Sequence, residues 1–257
     1  MHRIRQAIWS AIRGTARCIY ETYRRGGTMF RVAPVIVAIA VLPEFLQHVV
    51  EIRIGMFESR DAAHALANSP LRWGFGYAKL AGLGLAMLFT ARFWALDQSV
   101  RRALLIPPRV LLRTAFAIAV MLGTGAALAW LGAQLPPVPA AIVLVISNLL
   151  QAGMTVWILS ELLEDRSVSL RQGLTTYLLT AVLVLLLFFA AMLPLQAIHL
   201  LDHRLVLGRP EALIWPVMAF DSLVVGLMAA LAGSGFYVGF RAGPTWRGWT
   251  RVPGSDA

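Results

Sequence analysis

The chain has 257 residues, of which 58% are hydrophobic and only 14% charged, and its mean hydropathy is +0.70. A soluble domain of this size needs far more charged surface, so the composition describes an integral membrane protein. The formal charge is +10 and 22 of the 23 basic residues are arginine, but no basic patch is interleaved with stacking aromatics, which argues against a nucleic-acid partner. Cys18 is the only cysteine, so an intramolecular disulfide and cysteine-based zinc or redox motifs are excluded.

Residues 3–25 carry Ile4, Ile8, Ile12, Ile19 and Tyr23 at near-helical spacing, with Arg3, Arg5, Arg13, Arg17, Arg24 and Arg25 between them. This pattern predicts a basic amphipathic helix in the headgroup region, its arginines on anionic lipid headgroups, ended by Gly26-Gly27. The segment is Arg-rich and acid-poor like a mitochondrial transit peptide. The first apolar run follows too soon for a separable presequence, however, and nothing resembles a cleavable secretory signal.

Six apolar runs follow, at about 32–50, 73–96, 110–133, 140–160, 174–200 and 213–240, each long enough to cross a bilayer. The fold class is therefore an all-α polytopic membrane helix bundle of six transmembrane helices. An interfacial helix over 1–31 precedes the domain at 32–241, and a basic tail over 242–257 follows it. Ser59 to Ala67 reads as a short helix closed by Asn68-Ser69-Pro70, and the stretch after Asp97 as another, stopped by Pro107-Pro108. Gly74, Gly76, Ala78, Gly82, Gly84 and Ala86 give the second span a small-residue face for close packing. Gly123 with Ala127, and Gly235 with Gly239, repeat that spacing. Arg92 is placed to snorkel to the interface, residues 160–173 read as a charged loop, and Pro194 predicts a break in the fifth span.

Six spans put both termini on one side. The N-terminus, the 97–113 and 161–171 loops and the tail taken together with Arg241 hold sixteen arginines, whereas the opposite loops hold five: Arg53, Arg60, Arg72, Arg204 and Arg209. That bias predicts cytoplasmic termini in a bacterial inner membrane.

Polar residues within the spans are expensive and so mark a site. Glu44, Gln47, His48 and Glu51 fall at offsets of three, four and seven, one side of a helix. Lys79, the only lysine, lies roughly 9 Å down the second span, Asn148 about 12 Å down the fourth and Asp221 about 12–14 Å down the sixth. These depths predict a polar cluster in the outer half of the bilayer. Glu44 and Asp221 gather around Lys79, with His48, Asn148, Gln151 and Gln196 completing the hydrogen bonds. A second constellation is His199-Leu-Leu-Asp202-His203, which together with His48 offers N/O ligands for zinc. Such residues are more often interfacial or satisfied polar side chains, so no metal and no other cofactor is expected. There is no phosphate-cradling Gly-rich loop with lysine, no G-x-S-x-G and no H-E-x-x-H.

The basic amphipathic lead-in, the proline-bearing first span with Leu42-Pro43-Glu44, and the closing GSGFYVGFRAG carry a resemblance to six-span bacterial inner-membrane families of uncharacterised function. The pattern is similar to the YciC-like and glycerophosphodiesterase-membrane-domain type. The sequence lacks any attached phosphodiesterase domain, so the resemblance implies the fold and no catalytic residue. Three functions stay open, in order of preference. The first is a non-enzymatic structural, accessory or assembly protein that homo-oligomerises or meets a membrane partner through its small-residue faces. The second is a small-solute or proton-coupled transporter lined by Glu44, Lys79 and Asp221. The third is a metal-dependent membrane hydrolase using His48, His199 and His203.

Overall fold

Proline sets the starts of the long helices. Its fixed φ suits the first helical position, and its missing N–H is one that no helix start can use. In the computed structural model, which describes residues 2–246 and the side chains of residues 6, 9 and 11–243, Pro34, Pro70, Pro108 and Pro137 each open a helix. The described residues form ten helices and no strand: α1 (His2–Val32), α2 (Pro34–Arg53), α3 (Arg60–Leu66), α4 (Pro70–Ala95), α5 (Val100–Leu104), α6 (Pro108–Ala133), α7 (Pro137–Leu162), α8 (Leu170–Leu174), α9 (Leu178–Leu205) and α10 (Glu211–Trp246). Six of them, α2, α4, α6, α7, α9 and α10, are long and apolar enough to cross a membrane. The protein is an all-α, multi-pass integral membrane protein.

Several local expectations are corrected. Gly26-Gly27 does not end the first helix, which continues to Val32. A Cβ on Gly26 would strike the backbone of Leu231 on α10, so this glycine serves close packing. Residues 160–173 are not all loop: Ser169 and Gln172 cap α8 reciprocally. Along α1, Arg13, Arg17 and Arg24 are exposed and Arg25 is half-buried, whereas the side chains of Arg3 and Arg5 lie outside the described residues. Most of the expected tail, residues 247–257, lies outside them as well.

The chain divides into two compact units, one of residues 1–21, 92–187 and 235–257, the other of residues 22–91 and 188–234. In the first unit α6 packs on α7, and α8 meets α7 through Gly153 and Gly173. Gly239 of α10 lies against Val184 of α9, where a Cβ would come within 2.8 Å of the valine side chain. Cys18 joins Leu183, Leu187 and Val238 in a buried cluster, and burial pushes its thiol pKa up although Arg17 pulls it down. Arg92 does not snorkel. It is 1% exposed and donates to the carbonyls of Ala103 at 3.2 Å, Arg102 at 3.1 Å and Leu162, and to Glu164 Oε1 at 3.0 Å. Those carbonyls end α5 and α7, where four C=O groups lack helical donors, so one guanidinium caps two helices.

In the second unit α10 is the central helix. Ala191 and Leu195 of α9 pack on Val224, Val225, Met228 and Leu231 of α10, and Ala40, Ala86 and Ala229 bring α2, α4 and α10 together. Bilayer helices gain little from leaving lipid for one another, so close backbone approach and polar pairing hold them. Proline creates two of these approaches. Pro194 leaves the Ala190 carbonyl without its helical donor, and the Tyr23 hydroxyl donates to it at 2.7 Å. α9 therefore runs unbroken through Pro194, against expectation. Pro43 likewise frees the Ile39 carbonyl, and Gly82 of α4 packs on that oxygen.

The small-residue face of α4 is thus narrower than its sequence suggests, since Gly74 and Gly84 have open space beside them. A Cβ at Gly82 would lie 2.5 Å from the Ile39 oxygen. Gly82→Ala is expected to lower stability by about 1–3 kcal/mol through overpacking. Gly84→Ala should be neutral or slightly stabilising, because alanine is the better helix former. Paired unfolding curves in detergent measure both, and equal effects at the two positions would refute the packing role of Gly82.

Candidate metal centre

Within the second unit, α2 carries Glu44, Gln47, His48 and Glu51 on one side, and all four are buried. His48 is the pivot. Its Nδ1 faces Glu51 Oε2 at 3.1 Å, while its Nε2 faces Asp221 Oδ2 at 2.9 Å and Glu44 Oε1 at 3.2 Å. The three carboxylates are each 0% exposed. α9 adds two further imidazoles one turn apart. His199 Nδ1 is 2.8 Å from both oxygens of Asp221, and His203 Nε2 is 3.6 Å from Oδ2, too far for a hydrogen bond. The three rings pack together, His203 lying 4.7 Å from His199 and 5.2 Å from His48 between centroids.

α4 supplies the cations. Lys79 Nζ donates to Glu44 Oε1 at 2.8 Å, and Arg72 Nε donates to Glu51 Oε1 at 2.8 Å. Gln47 Nε2 donates to the same Glu51 oxygen at 2.9 Å. Glu51 thus has one oxygen fixed by Arg72 and Gln47 and the other turned to His48 Nδ1. A neutral imidazole has one N–H. If it serves Glu51, the lone pair on Nε2 points at two carboxylate oxygens, which repel it. Either a second proton or a cation must stand there.

The ligand atoms of Glu44, His199, His203 and Asp221 all lie within 4.8 Å of one another, as do those of His48, Glu51 and His203. Glu44 Oε2 and His203 Nε2 are buried atoms with no hydrogen-bond partner, as are Gln47 Oε1 and Asp202 Oδ2. Burying such atoms unpaired costs about 1–3 kcal/mol each. Only the rim of the cluster is accessible: the side chains of His199, His203, Lys79 and Arg72 are 12%, 24%, 19% and 22% accessible, against 0% for the carboxylates.

The structure rearranges the expected cluster. The residues expected at two separate constellations, Glu44, His48, Asp221, His199 and His203, converge in one. Lys79 pairs with Glu44 alone and stands at the rim, so the hub is His48 with Asp221. Asn148 is exposed and donates to the Leu144 carbonyl at 2.8 Å, and Gln151 donates to Ser147 Oγ at 3.1 Å; both belong to the other unit. A helical side chain can satisfy itself on its own preceding turn, and these two do. Gln196 is half-buried on α9 and takes no part in the hydrogen bonds of the cluster. Asp202 is buried on α9 and belongs to neither ligand set. Glu51, which the sequence placed on the polar face of α2 but not in the predicted cluster, and Arg72, which it did not mark, complete the cluster. The spacing of Glu51 three residues after His48 was the available signal, whereas Arg72 gives none, since it reads as a loop arginine.

No family model, curated protein or solved structure matches the chain. The site is therefore read from its own chemistry.

Proposed function

We propose that this chain is a membrane-embedded metalloprotein, in which Glu44, His199, His203 and Asp221 hold a divalent transition-metal ion for hydrolytic chemistry. The observation that carries this reading is His48, with both ring nitrogens aimed at carboxylates, beside imidazole and carboxylate atoms that have no partner. Mixed imidazole and carboxylate ligands suit zinc, manganese or iron. Glu51 would act from outside the ligand set: it holds His48 through Nδ1, and His48 Nε2 in turn faces the ligand carboxylates of Asp221 and Glu44 and fixes their orientation. Charge leaves room for a cation. Glu44, Glu51 and Asp221 are opposed by Lys79 and Arg72, an excess of one negative charge that a metal ion or a second proton on His48 offsets. Such an ion acts as a Lewis acid and lowers the pKa of water, which serves hydrolysis.

The excess of arginine on four segments, sixteen against five, supports a bacterial inner membrane with both termini cytoplasmic. The centre then faces the outer side.

A second reading has one observation in its favour. With His48 protonated on both nitrogens, Glu44, Glu51 and Asp221 balance Lys79, Arg72 and His48, giving a closed ion network that fixes helix register.

Elemental analysis separates the two. Protein purified without added metal is expected to carry close to one transition-metal ion per chain. Glu51→Gln should keep that stoichiometry at saturating metal but weaken affinity roughly 10- to 100-fold. Less than about a tenth of an equivalent after metal supplementation, in folded protein, would leave only the ion network.

A further inference from the structure

We propose that a basic cavity at the loop end of α2 and α9 is a receptor for a phosphate group. The cavity, of about 430 Å³, is lined by Arg60, Arg204 and Arg209 together with Glu58, Ser59 and Gly208. Two tight turns build it. Gly55 at φ +77° and Gly208 at φ +69° adopt the left-handed conformation that glycine tolerates, and the Gly208 N–H donates to the Phe57 carbonyl at 2.8 Å. This bond ties the loop after α2 to the loop after α9, and so brings Arg60 beside Arg204 and Arg209.

Among the described residues the three guanidiniums enter no ion pair, in contrast to Arg72, Arg92 and Arg102, which are each bonded to a carboxylate. Glu58 is the one carboxylate in the lining, so the cavity carries a net charge of two positive. A phosphate monoester carries about −1.5 to −2 at neutral pH, and guanidinium forks match its oxygens two at a time. A carboxylate or a phosphodiester would neutralise only half of that charge. The adjoining cavity of about 330 Å³ makes the contrast: Arg53 and Arg209 are balanced there by Glu58 and Glu211, and it offers an anion nothing.

The location gives the cavity a purpose. Arg204 follows His203 directly, and the Phe57 ring packs 5.7 Å from the ring of His203, a member of the cluster whose side chain is 24% accessible. Positive-inside bias does not account for these arginines, since they belong to the arginine-poor set. As the anchor for a substrate's phosphate the cavity rests on the proposed metal centre, although phosphate binding itself needs no metal. The phosphate is borne either by a lipid headgroup or by a small soluble molecule.

The test uses the full chain in phosphatidylcholine nanodiscs. Inorganic phosphate titrated by calorimetry is expected to bind, and Arg204→Gln and Arg209→Gln should each weaken it about 10- to 100-fold. Arg53→Gln should change it by less than about twofold, since it removes a charge from the adjoining cavity only. Unliganded melting temperatures equal to the parent's show that the variants fold. Nanodiscs doped with phosphatidic acid that melt higher and exclude phosphate assign the site to a lipid headgroup. Phosphate binding indifferent to phosphatidic acid assigns it to a soluble phosphate, and either result supports the receptor. Absence of binding, or binding unchanged in both arginine variants, overturns it. Binding that survives in those variants but vanishes on chelation places phosphate on the metal and overturns the cavity alone. Full binding in protein that never takes up metal keeps the cavity and removes the metal centre.

Discussion

Asp221→Asn is expected to release the metal and destabilise the protein together. Asp221 faces His48, His199 and His203, and no other carboxylate meets more than one of these rings within hydrogen-bonding distance. An amide keeps the shape but loses the charge, and its NH2 group turns a donor toward rings that also donate. Metal affinity should fall by more than roughly 100-fold, beyond the loss from an outer-shell change. The apo protein should also lose about 3–5 kcal/mol, because breaking a buried charged network leaves its other members unpaired. Chelator competition reads the first effect and unfolding in detergent the second. Asp221→Asn combined with His48→Gln should cost much less than the two changes summed, since both remove the same interaction. Parent-like metal content in Asp221→Asn would refute the proposed ligand set. Additivity of the pair would refute the direct coupling of Asp221 to His48.

Arg92→Ala is expected to have the largest effect outside the cluster. Its guanidinium is buried and holds three carbonyls and one carboxylate at the ends of α5 and α7. The turns before α5 and after α7 carry left-handed residues without the glycine that would ease them: Asp97 and Gln98, at φ 55° and 57°, and Glu164 and Arg166, at φ 63° and 52°. Such conformations persist only where the surroundings fix them. Removing the fork leaves the buried carbonyls of Ala103 and Leu162 unsatisfied, at about 1–3 kcal/mol each, and frees two partly buried acceptors besides, so a total of about 3–5 kcal/mol is expected after relaxation. Arg92→Lys should recover less than half, because an ammonium cannot reach carbonyls on both helix ends at once. Hydrogen exchange should rise over residues 96–106 and 160–168 before the rest of the chain. An Arg92→Ala protein within about 0.5 kcal/mol of the parent would contradict the capping role.

Sequence by itself determined that this chain crosses a membrane six times and is built of helices. Length and hydropathy decide that, because a bilayer accepts only segments whose backbone is satisfied internally, and each span meets that condition alone. It also determined that Glu44, Gln47, His48 and Glu51 share a face, since helical periodicity is local. What faced them was not local. Depth along a span placed Asn148 and Gln151 beside Asp221, but depth leaves rotation about the helix axis free, and these two turned onto their own helix. Proline was ambiguous for the same reason. Pro194 ends a helix unless something else satisfies Ala190, and only the folded chain brings Tyr23 to that carbonyl. The approach of Gly82 to Ile39, the two helix ends bridged by Arg92 and the union of His48 with His199, His203 and Asp221 depend on distances between segments far apart in sequence. Helix packing settles those distances, and with them which polar groups meet.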